Sequence, residues 1–160
     1  YEDPENYESG FLPFAQKADV LIAGAFWDPK APVLFTKENA VQQDFNIRVI
    51  ADISCDIEGS IPSTKEPTTI EDPVYDYNPS NDRVEPAFVD EGNITVMAVD
   101  NLPCELPRNA SEDFGKEFVN SILPNLMGVD KDAILERATI TQDGELTKRY
   151  HYLQDFVNGH

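Results

Sequence analysis

Three segments of the chain are almost continuously apolar, rich in β-branched residues and about as long as a strand. They are residues 19–26 (DVLIAGAF), 47–53 (IRVIADI) and 93–99 (NITVMAV). Unbroken apolar runs of this length are typical of strands covered on both faces, as in parallel sheets. Thr36 is placed to cap a short helix, TKENAVQQD, between the first two runs, so the pattern predicts strand, crossover and strand.

The chain between the second and third runs has no clear periodicity. Proline is dense there and interrupts regular structure, which predicts an extended loop or a small β excursion. Loops of this kind often carry function. The prolines are Pro62, Pro67, Pro73, Pro79 and Pro86.

Helical spacing returns after the third run. Asn109 and Glu112 form a capping-box pattern at a predicted helix start, and Pro124 is expected to kink or end that helix. A second short helix is predicted around KDAILERA, before a final stretch, ELTKRYHYLQDF. We expect the apolar stripe of the first helix to pack in the core rather than to bind a ligand. The stripe consists of Phe114, Phe118, Val119, Ile122, Leu123 and Leu126.

Length and charge limit the classes of protein to consider. With 160 residues and 41% hydrophobic content, the chain is long enough for one domain with a sizeable core. It carries 30 acidic against 12 basic residues, a formal net charge of -18. This charge excludes nucleic acid and an anionic membrane as partners, and solubility alone accounts for it.

No apolar run approaches the roughly 20 residues that a membrane helix needs, and the opening YEDPENYESG lacks the features of a signal peptide. We expect a soluble intracellular protein, cytoplasmic or, in a eukaryote, in the mitochondrial matrix. Cys55 and Cys104 are too few for a disulfide framework and lack metal-ligand spacing, so both are expected to be reduced and no metal site is predicted.

Polar and aromatic side chains follow each predicted strand. Carboxyl ends of parallel strands meet at one edge of a sheet, and ligands of open α/β sheets bind there. A structural role also accounts for each group: rim packing for the aromatic pair, turn capping for the first carboxylates and Asx hydrogen bonds for the last pair. The residues are Ala25, Phe26 and Trp27, then Asp52 and Asp56, then Asp100 and Asn101.

A phosphate cradle is missing from the sequence. None of the eight glycines forms the GxGxxG run that opens a dinucleotide site. The chain therefore resembles the second half of a nucleotide-binding domain. The predicted fold is α/β: the C-terminal half of a Rossmann-like, doubly wound parallel sheet, followed by C-terminal helices.

Long ordered motifs connect the sequence to a known family. They are DPENY, ADVLIAGAFW, KAPVLFT, IADISCDIEGSI, TTIEDPVY, VDNLPCELPRNAS and RATITQDGELTKRY. Over most of its length the chain resembles the lysine-ketoglutarate reductase part of bifunctional aminoadipic semialdehyde synthases. It is more distantly similar to lysine-forming saccharopine dehydrogenases and to alanine dehydrogenases.

The resemblance implies a two-domain oxidoreductase that binds NAD or NADP between its domains. Such an enzyme condenses lysine with 2-oxoglutarate and reduces the imine to saccharopine. Residues 1–108 would be the second half of the Rossmann-like domain, and residues 109–160 a helical segment returning toward the substrate domain. The N-terminal half of the same enzyme would be the partner, and an exposed helix stripe in the isolated chain would favour a homo-oligomer.

The resemblance also assigns site residues. Asp56 lies where alanine dehydrogenases have an aspartate facing the substrate, so it is the candidate catalytic residue, for orienting the substrate or moving a proton. The implied cofactor contacts are Ala25 and Phe26 on the adenosine side, Ala51, Asp52 and Ile53 along the cofactor, and Asp100, Asn101 and Leu102 near the nicotinamide.

The sequence departs from the family in its acid–base groups. The family's catalytic lysine and histidine lie in an N-terminal portion that nothing here matches, and His151 and His160 fall in the tail. We therefore expect this chain, which starts at Tyr1 without a methionine, to be an excised piece that is inactive alone. A non-catalytic metabolite- or partner-binding domain is the alternative. Alanine-dehydrogenase-like activity is disfavoured, because SCDIEGS and VDNLPCELP are closer to the lysine enzyme.

Overall fold

The computed structural model of the chain describes residues 3–159. It divides the chain into two compact units, one up to Glu105 and one from Leu106. The first unit contains every residue of the predicted ligand site. The roles predicted for residues 1–108 and 109–160 remain predictions.

A five-stranded sheet forms the centre of the first unit, with strand order β1-β2-β5-β3-β4. Strands β1, β2 and β5 are parallel, with Val20 opposite Val49 and Val49 opposite Thr95. The three predicted parallel strands and the α/β class are therefore confirmed. The strands are β1 Val20–Ala23, β2 Val49–Asp52, β3 Tyr75–Asn78, β4 Arg83–Glu85 and β5 Ile94–Met97.

The proline-rich stretch contains the predicted β excursion. Strands β3 and β4 form an antiparallel hairpin, and β3 also pairs antiparallel with β5. Asp76 is buried in the middle of β3, where it accepts hydrogen bonds from the Thr95 hydroxyl at 2.8 Å and the Phe88 backbone N–H at 3.0 Å. A buried carboxylate is tolerated because both of its oxygens have donors.

The core lies on one face of the sheet. Ile50 and Val96 from the parallel strands pack in one cluster with Phe35 and Phe45, whose ring centroids are 5.0 Å apart. Two short helices flank this core, α1 at Leu12–Ala15 and α2 at Lys37–Ala40. The Thr36 cap is confirmed: its hydroxyl accepts from the backbone N–H of Asn39 in a reciprocal capping box.

Among the described residues the other face of the sheet is open at β1 and β2, whereas Asp76 of β3, in register with Thr95 on that face, is buried. Val20 and Ile22, which alternate with the core residues of β1, are 54% and 72% exposed, and Val49 is 41% exposed. Within residues 3–159, the prediction that the strands are covered on both faces was wrong for β1 and β2, whereas no residue of β5 is exposed. β1 is also an edge strand, so its apolar side chains lie beside an unpaired strand edge.

The second unit is mainly helical. Its elements are α3 Pro107–Glu117, a π-helical turn at Phe118–Ile122, α4 Leu123–Met127, α5 Ile134–Ala138, a small hairpin of β6 Thr141–Gln142 and β7 Glu145–Leu146, a 3₁₀ segment at Lys148–Leu153 and α6 Gln154–Val157. Further 3₁₀ turns at Pro4–Asn6 and Leu102–Glu105 belong to the first unit. Helix α5 confirms the helix predicted in KDAILERA. No helix within residues 3–159 has both the length and the apolarity needed to cross a bilayer.

Helix α3 begins earlier than the capping pattern predicted. Pro107 occupies its first turn after the N-cap Leu106, because the fixed φ of proline and its missing N–H suit that position. Asn109 is thus inside the helix, and its predicted capping role was wrong. Pro124 disturbs the helix as expected: the π turn precedes it, with the Leu123 N–H donating to the Phe118 carbonyl.

The apolar stripe of these helices is exposed. Phe114, Val119 and Leu126 are each more than half exposed, and α3 and α4 contain no buried residue. The prediction that the stripe packs in the core of this chain was therefore wrong.

Candidate functional site

The carboxyl end of β1 opens into a cavity of about 560 Å³. Residues 21–27 form one wall, and two further stretches, residues 7–11 and 31–34, form the others together with Ser60. Phe26 is 80% exposed at this end. The cavity is lined mostly by apolar and aromatic side chains, so it suits a flat, apolar ring system better than a charged group.

Hydrogen bonds between segments hold the cavity walls in place. The Ser9 hydroxyl donates to the Leu34 carbonyl at 2.6 Å, and the Leu34 N–H donates to the Ser60 carbonyl at 2.9 Å. The Trp27 indole N–H donates to the Ala31 carbonyl at 3.2 Å, which fixes the ring against the loop. The walls are therefore preformed, and the sequence alone did not indicate the contribution of residues 7–11.

Asp52 ends β2 and organises the loop that follows. One carboxylate oxygen accepts from the Ser54 hydroxyl at 2.7 Å and from the backbone N–H groups of Ser54 and Cys55, both at 3.2 Å. The other oxygen accepts from the Thr64 hydroxyl at 2.7 Å. Asp52 is buried. Its side chain is thus occupied by its own loop, which corresponds to the turn-capping role considered from the sequence.

Asp56 differs from Asp52 in its surroundings. Its side chain is exposed and makes no side-chain hydrogen bond within residues 3–159. The backbone N–H of Gly59 donates to the Asp56 carbonyl at 2.9 Å, closing a tight turn. A Cβ at position 59 would lie 2.5 Å from the Asp56 Cβ, so only glycine allows the turn in this form. The turn leaves the Asp56 carboxylate available to a ligand.

Cys55 connects the end of β2 to the end of β5. Its backbone has a φ of 52°, the left-handed region that is unusual for a residue with a side chain. This conformation lets the thiol donate to the Ala98 carbonyl at 3.1 Å. The Ala98 carbonyl also accepts from the Thr68 N–H at 2.8 Å. The two strand ends are thus held together through one carbonyl.

The Cys55 thiol lies within electrostatic range of three carboxylates. Burial raises its pKa, and the negative charges of Asp100, Asp52 and Asp56 raise it further. The thiol is therefore protonated and a poor nucleophile. Carboxylates predicted from two different strands therefore act on one thiol, which is itself hydrogen-bonded from the end of β2 to the end of β5. Asp56 and Asp100 are both exposed, so this edge of the sheet favours a cation.

The remaining predicted residues lie around this edge. Ala51 is half-buried in β2. Ile53, the first residue after that strand, has an exposed side chain, and Asn101 is also exposed. Leu102 is half-buried at the start of a 3₁₀ turn. Ala25, Phe26 and Trp27 line the cavity, whereas the carboxylates do not. The structure thus separates an apolar compartment from a carboxylate cluster along one sheet edge.

Sequence reasoning missed a group of charged residues beside the site. Lys37 and Lys65 each bridge the same two carboxylates, Glu58 and Asp82. The Tyr77 hydroxyl donates to Asp82 at 2.9 Å. Hydrogen bonds from Lys37 and Lys65 lower the pKa of Asp82, and those from Lys65 and Lys37 lower that of Glu58. These residues are far apart in sequence and follow no pattern, so no sequence signal could have joined them.

The two histidines of the sequence are not among the residues described at this edge. His151 lies in the 3₁₀ segment of the second unit and is exposed, and His160 lies outside the described residues. Among the described residues no group of three or more His, Cys, Asp and Glu side chains is arranged to hold a metal ion.

A nicotinamide nucleotide fits one part of this edge. The β1 cavity has the size and apolar lining for an adenine-like base, since such pockets measure roughly 300–1,000 Å³. The pyrophosphate has no cradle here, because no glycine-rich loop opens a helix in the printed sequence. The described residues thus offer a cavity for the base of such a cofactor and no glycine-rich cradle for its phosphates.

Comparison with known proteins identifies the family. The sequence matches the family described as alanine dehydrogenase/PNT, C-terminal domain, over residues 8–149. It is 33% identical over 160 residues to an alpha-aminoadipic semialdehyde synthase of Arabidopsis thaliana, a match covering 96% of this chain and 15% of that protein. The mitochondrial synthase of Mus musculus is 30% identical over 177 residues, with 94% of this chain and 19% of that protein covered.

A shorter relative extends the comparison. The saccharopine dehydrogenase [NAD(+), L-lysine-forming] of Schizosaccharomyces pombe is 29% identical over 133 residues, covering 79% of this chain and 33% of that protein. The chain thus spans less than a fifth of the plant and mouse relatives and about a third of the yeast one.

Proposed function

We propose that this chain, which belongs to the alanine dehydrogenase/PNT C-terminal domain family, is the C-terminal part of an NAD(P)-dependent lysine-ketoglutarate reductase. In this proposal it catalyses the saccharopine-forming condensation of lysine with 2-oxoglutarate only together with an N-terminal half. The family is one of oxidoreductases that generally use nicotinamide cofactors. The similarity to aminoadipic semialdehyde synthases and to a lysine-forming saccharopine dehydrogenase supports the choice of substrates.

One observation carries the proposal. The carboxyl ends of β1, β2 and β5 lie side by side in parallel register, so an apolar cavity and a carboxylate cluster share one sheet edge. This is the edge where open α/β sheets bind ligands. A hydride-transfer enzyme for a cationic amine needs both features: a surface for the cofactor and negative charge for the substrate.

Asp56 is the residue proposed to act on the substrate. In the reaction the amine nitrogen of lysine attacks the ketone carbon of 2-oxoglutarate, water leaves, and the imine carbon receives a hydride while its nitrogen keeps a proton. Reduced nicotinamide supplies the hydride when bound. The exposed Asp56 carboxylate would hold the lysine ammonium and take up its proton before attack. Asp52 would act indirectly, by holding the loop that presents Asp56.

Cofactor contacts are proposed along the same edge. Ala25 and Phe26 would contact the adenosine, since they line the β1 cavity. Ala51, Asp52 and Ile53 would lie along the cofactor, and Asp100, Asn101 and Leu102 would approach the nicotinamide. Either NAD or NADP is compatible with these residues.

The open side of the sheet supports a partner half. Val20 and Ile22 are exposed on a bare face beside the unpaired edge of β1, and covering them would remove apolar surface from water. We propose that the N-terminal half of the same enzyme covers them. The proposed compartment is the cytoplasm, or the mitochondrial matrix if the source is eukaryotic.

The proposal is tested by measuring saccharopine formation from lysine, 2-oxoglutarate and NADPH or NADH. Two proteins are compared: this chain alone, and the same chain extended upstream to include a glycine-rich loop. We expect turnover only in the extended protein. Turnover by the chain alone would overturn the need for a second half. Inactivity of both would favour a non-catalytic domain that binds a metabolite or a partner.

Asp56→Asn in the extended protein tests the catalytic assignment. We expect turnover to fall about 100-fold, in the range typical of a lost acid–base group, with cofactor affinity nearly unchanged. Asp72→Asn is the matched control, because Asp72 is exposed in the same unit and its side chain makes no hydrogen bond within residues 3–159. An unchanged turnover number for Asp56→Asn would remove Asp56 from the mechanism.

A further inference from the structure

A cleft of about 790 Å³ in the second unit concentrates positive charge. Arg137, Lys148 and Arg149 line it, with Glu136 as the one acidic residue of the lining, so the cleft carries three positive charges against one negative, a net of +2. The whole chain has only 12 basic residues and a net charge of -18. A quarter of the basic residues of the chain therefore lies in this one cleft.

The β6–β7 hairpin brings these cations together in space. The β6–β7 hairpin folds the chain back, so that Arg137 on one arm lies beside Lys148 and Arg149 on the other. Three hydrogen bonds tie the arms: the Thr147 N–H to the Ile140 carbonyl at 2.8 Å, the Thr147 hydroxyl to the Thr139 carbonyl at 2.7 Å, and the Tyr150 hydroxyl to the Arg137 carbonyl at 3.1 Å.

The charge of the cleft is not neutralised from within residues 3–159. Three cations of the described chain form ion pairs with carboxylates: Lys37 and Lys65 in the first unit, and Lys116 with Glu112 in α3. None of the three cleft cations forms an ion pair in the described part of the chain, although the protein is rich in carboxylates. The Gln142 amide also lines the cleft and has no side-chain hydrogen bond there, which adds a neutral donor.

We propose that this cleft binds a small oxyanion of charge about -2, either a phosphate or a dicarboxylate. Two guanidinium groups and an ammonium match such a ligand, because guanidinium donates in a planar fork to carboxylate or phosphate oxygens and ammonium adds a point charge. The net charge of +2 equals the charge of the ligand. All the residues that line the cleft belong to the second unit, and the proposal does not rest on the proposed reductase activity.

Calorimetric titration of the 160-residue chain with inorganic phosphate, and separately with succinate, tests the proposal at low and moderate salt. We expect saturable binding of at least one of the two with one site per chain. The tighter of the two identifies the class of oxyanion. Failure of both to saturate at low salt would overturn the proposal.

Variants distinguish a site from general attraction of anions. Arg137→Gln is expected to weaken binding about tenfold or more, since it removes a charge-assisted donor. Arg108→Gln is the matched control: it removes the same charge from α3 in the same unit, outside the cleft, and should leave affinity within about twofold. Equal losses of affinity in the two variants would show that anions are attracted by positive charge in general, and would overturn the proposed site.

A second measurement does not depend on any variant. In the unmodified chain, backbone amide resonances of Gln142 and Thr147 should shift as phosphate or succinate is added, and those of α3 should not. Shifts spread evenly over the second unit would again contradict a defined site.

Discussion

The Thr64 hydroxyl donates a 2.7 Å hydrogen bond to Asp52, which precedes it by 12 positions in the chain. Because the other oxygen of Asp52 receives the N–H groups of Ser54 and Cys55, one buried carboxylate ties both ends of the loop that presents Asp56. Asp52 therefore holds in place the loop that carries Asp56, the residue proposed to contact the substrate.

Removing the Thr64 hydroxyl should destabilise the first unit. Thr64→Val keeps the shape of the side chain and leaves one buried oxygen of Asp52 unpaired, so we expect a loss of about 1.5–3 kcal/mol in the free energy of unfolding. Urea denaturation measures it. Ser63→Ala is the control, because the buried Ser63 hydroxyl has no hydrogen-bond partner among the described residues and its loss should cost almost nothing. Equal effects of the two substitutions would contradict the role given to Asp52.

Gly59→Ala should disturb Asp56 without unfolding the chain. The added methyl group would lie 2.5 Å from the Asp56 Cβ and 3.0 Å from its carbonyl oxygen, so the turn must open. We expect a destabilisation of about 1–3 kcal/mol and displaced amide resonances for residues 56–59. Gly115→Ala, where nothing lies within 4 Å of the new Cβ, is the control and should be neutral or stabilising. A normal position of residue 56 in Gly59→Ala would disprove the steric argument.

The ion-pair group of Lys37, Glu58, Lys65 and Asp82 should make stability depend on acid pH. Hydrogen bonds from Lys37, and then from Lys65, hold the pKa of Asp82 below its ordinary value of 3.8. A carboxylate with a lowered folded pKa contributes stability that is full above its unfolded pKa and lost as pH falls through the folded one. We therefore expect stability to decline below about pH 4, more steeply with Asp82 than without it.

The measurement is thermal unfolding from pH 7 to pH 2 for the unmodified chain and for Asp82→Asn. The variant should be less stable at neutral pH and should lose less on acidification. Glu71→Gln is the control, since Glu71 is exposed and forms no ion pair within residues 3–159. Parallel pH curves for the unmodified chain and Asp82→Asn would show that the ion pairs of Asp82 add nothing to stability. Many exposed ion pairs have no measurable effect.

The exposed stripe of α3 and α4 should promote self-association of the isolated chain. Phe114 is 73% exposed, and burying such a ring against another copy gains about 1.5–3 kcal/mol. Sedimentation equilibrium should show a mass that rises with concentration, and Phe114→Ser should weaken the association about tenfold or more. Asn120→Ser, a polar change on the same helical segment, should leave it unchanged. A monomer at all concentrations would contradict this expectation.

The parallel strands could be predicted because their signal is local. Continuous β-branched runs are rare outside buried strands, and β1, β2 and β5 each lie inside a predicted run. The hairpin was harder to predict since its first strand reads Tyr-Asp-Tyr-Asn. The central Asp76 argues against a buried strand until the partner of its carboxylate, Thr95, is known from the fold.

The errors have similar physical causes. A helix stripe looks the same in sequence whether its partner belongs to the same chain or not, so Phe114 was expected in the core. Asn109 has good capping chemistry, yet Pro107 starts the helix first because its backbone is already fixed. In the site, the sequence indicated the strand ends but not the contact of Cys55 with Ala98, which requires a positive φ that no local pattern demands of a cysteine.

The β3–β4 hairpin lies between β2 and β5 along the chain but beyond β5 in the sheet. During synthesis, β2 therefore cannot meet its central partner until residues 94–97 have left the ribosome, well after the whole hairpin has emerged. Until then β2 presents an unpaired apolar edge, and the hairpin has no sheet to join. Sheet completion in this unit is a late, non-local event, so folding should be slow compared with helical proteins of equal length.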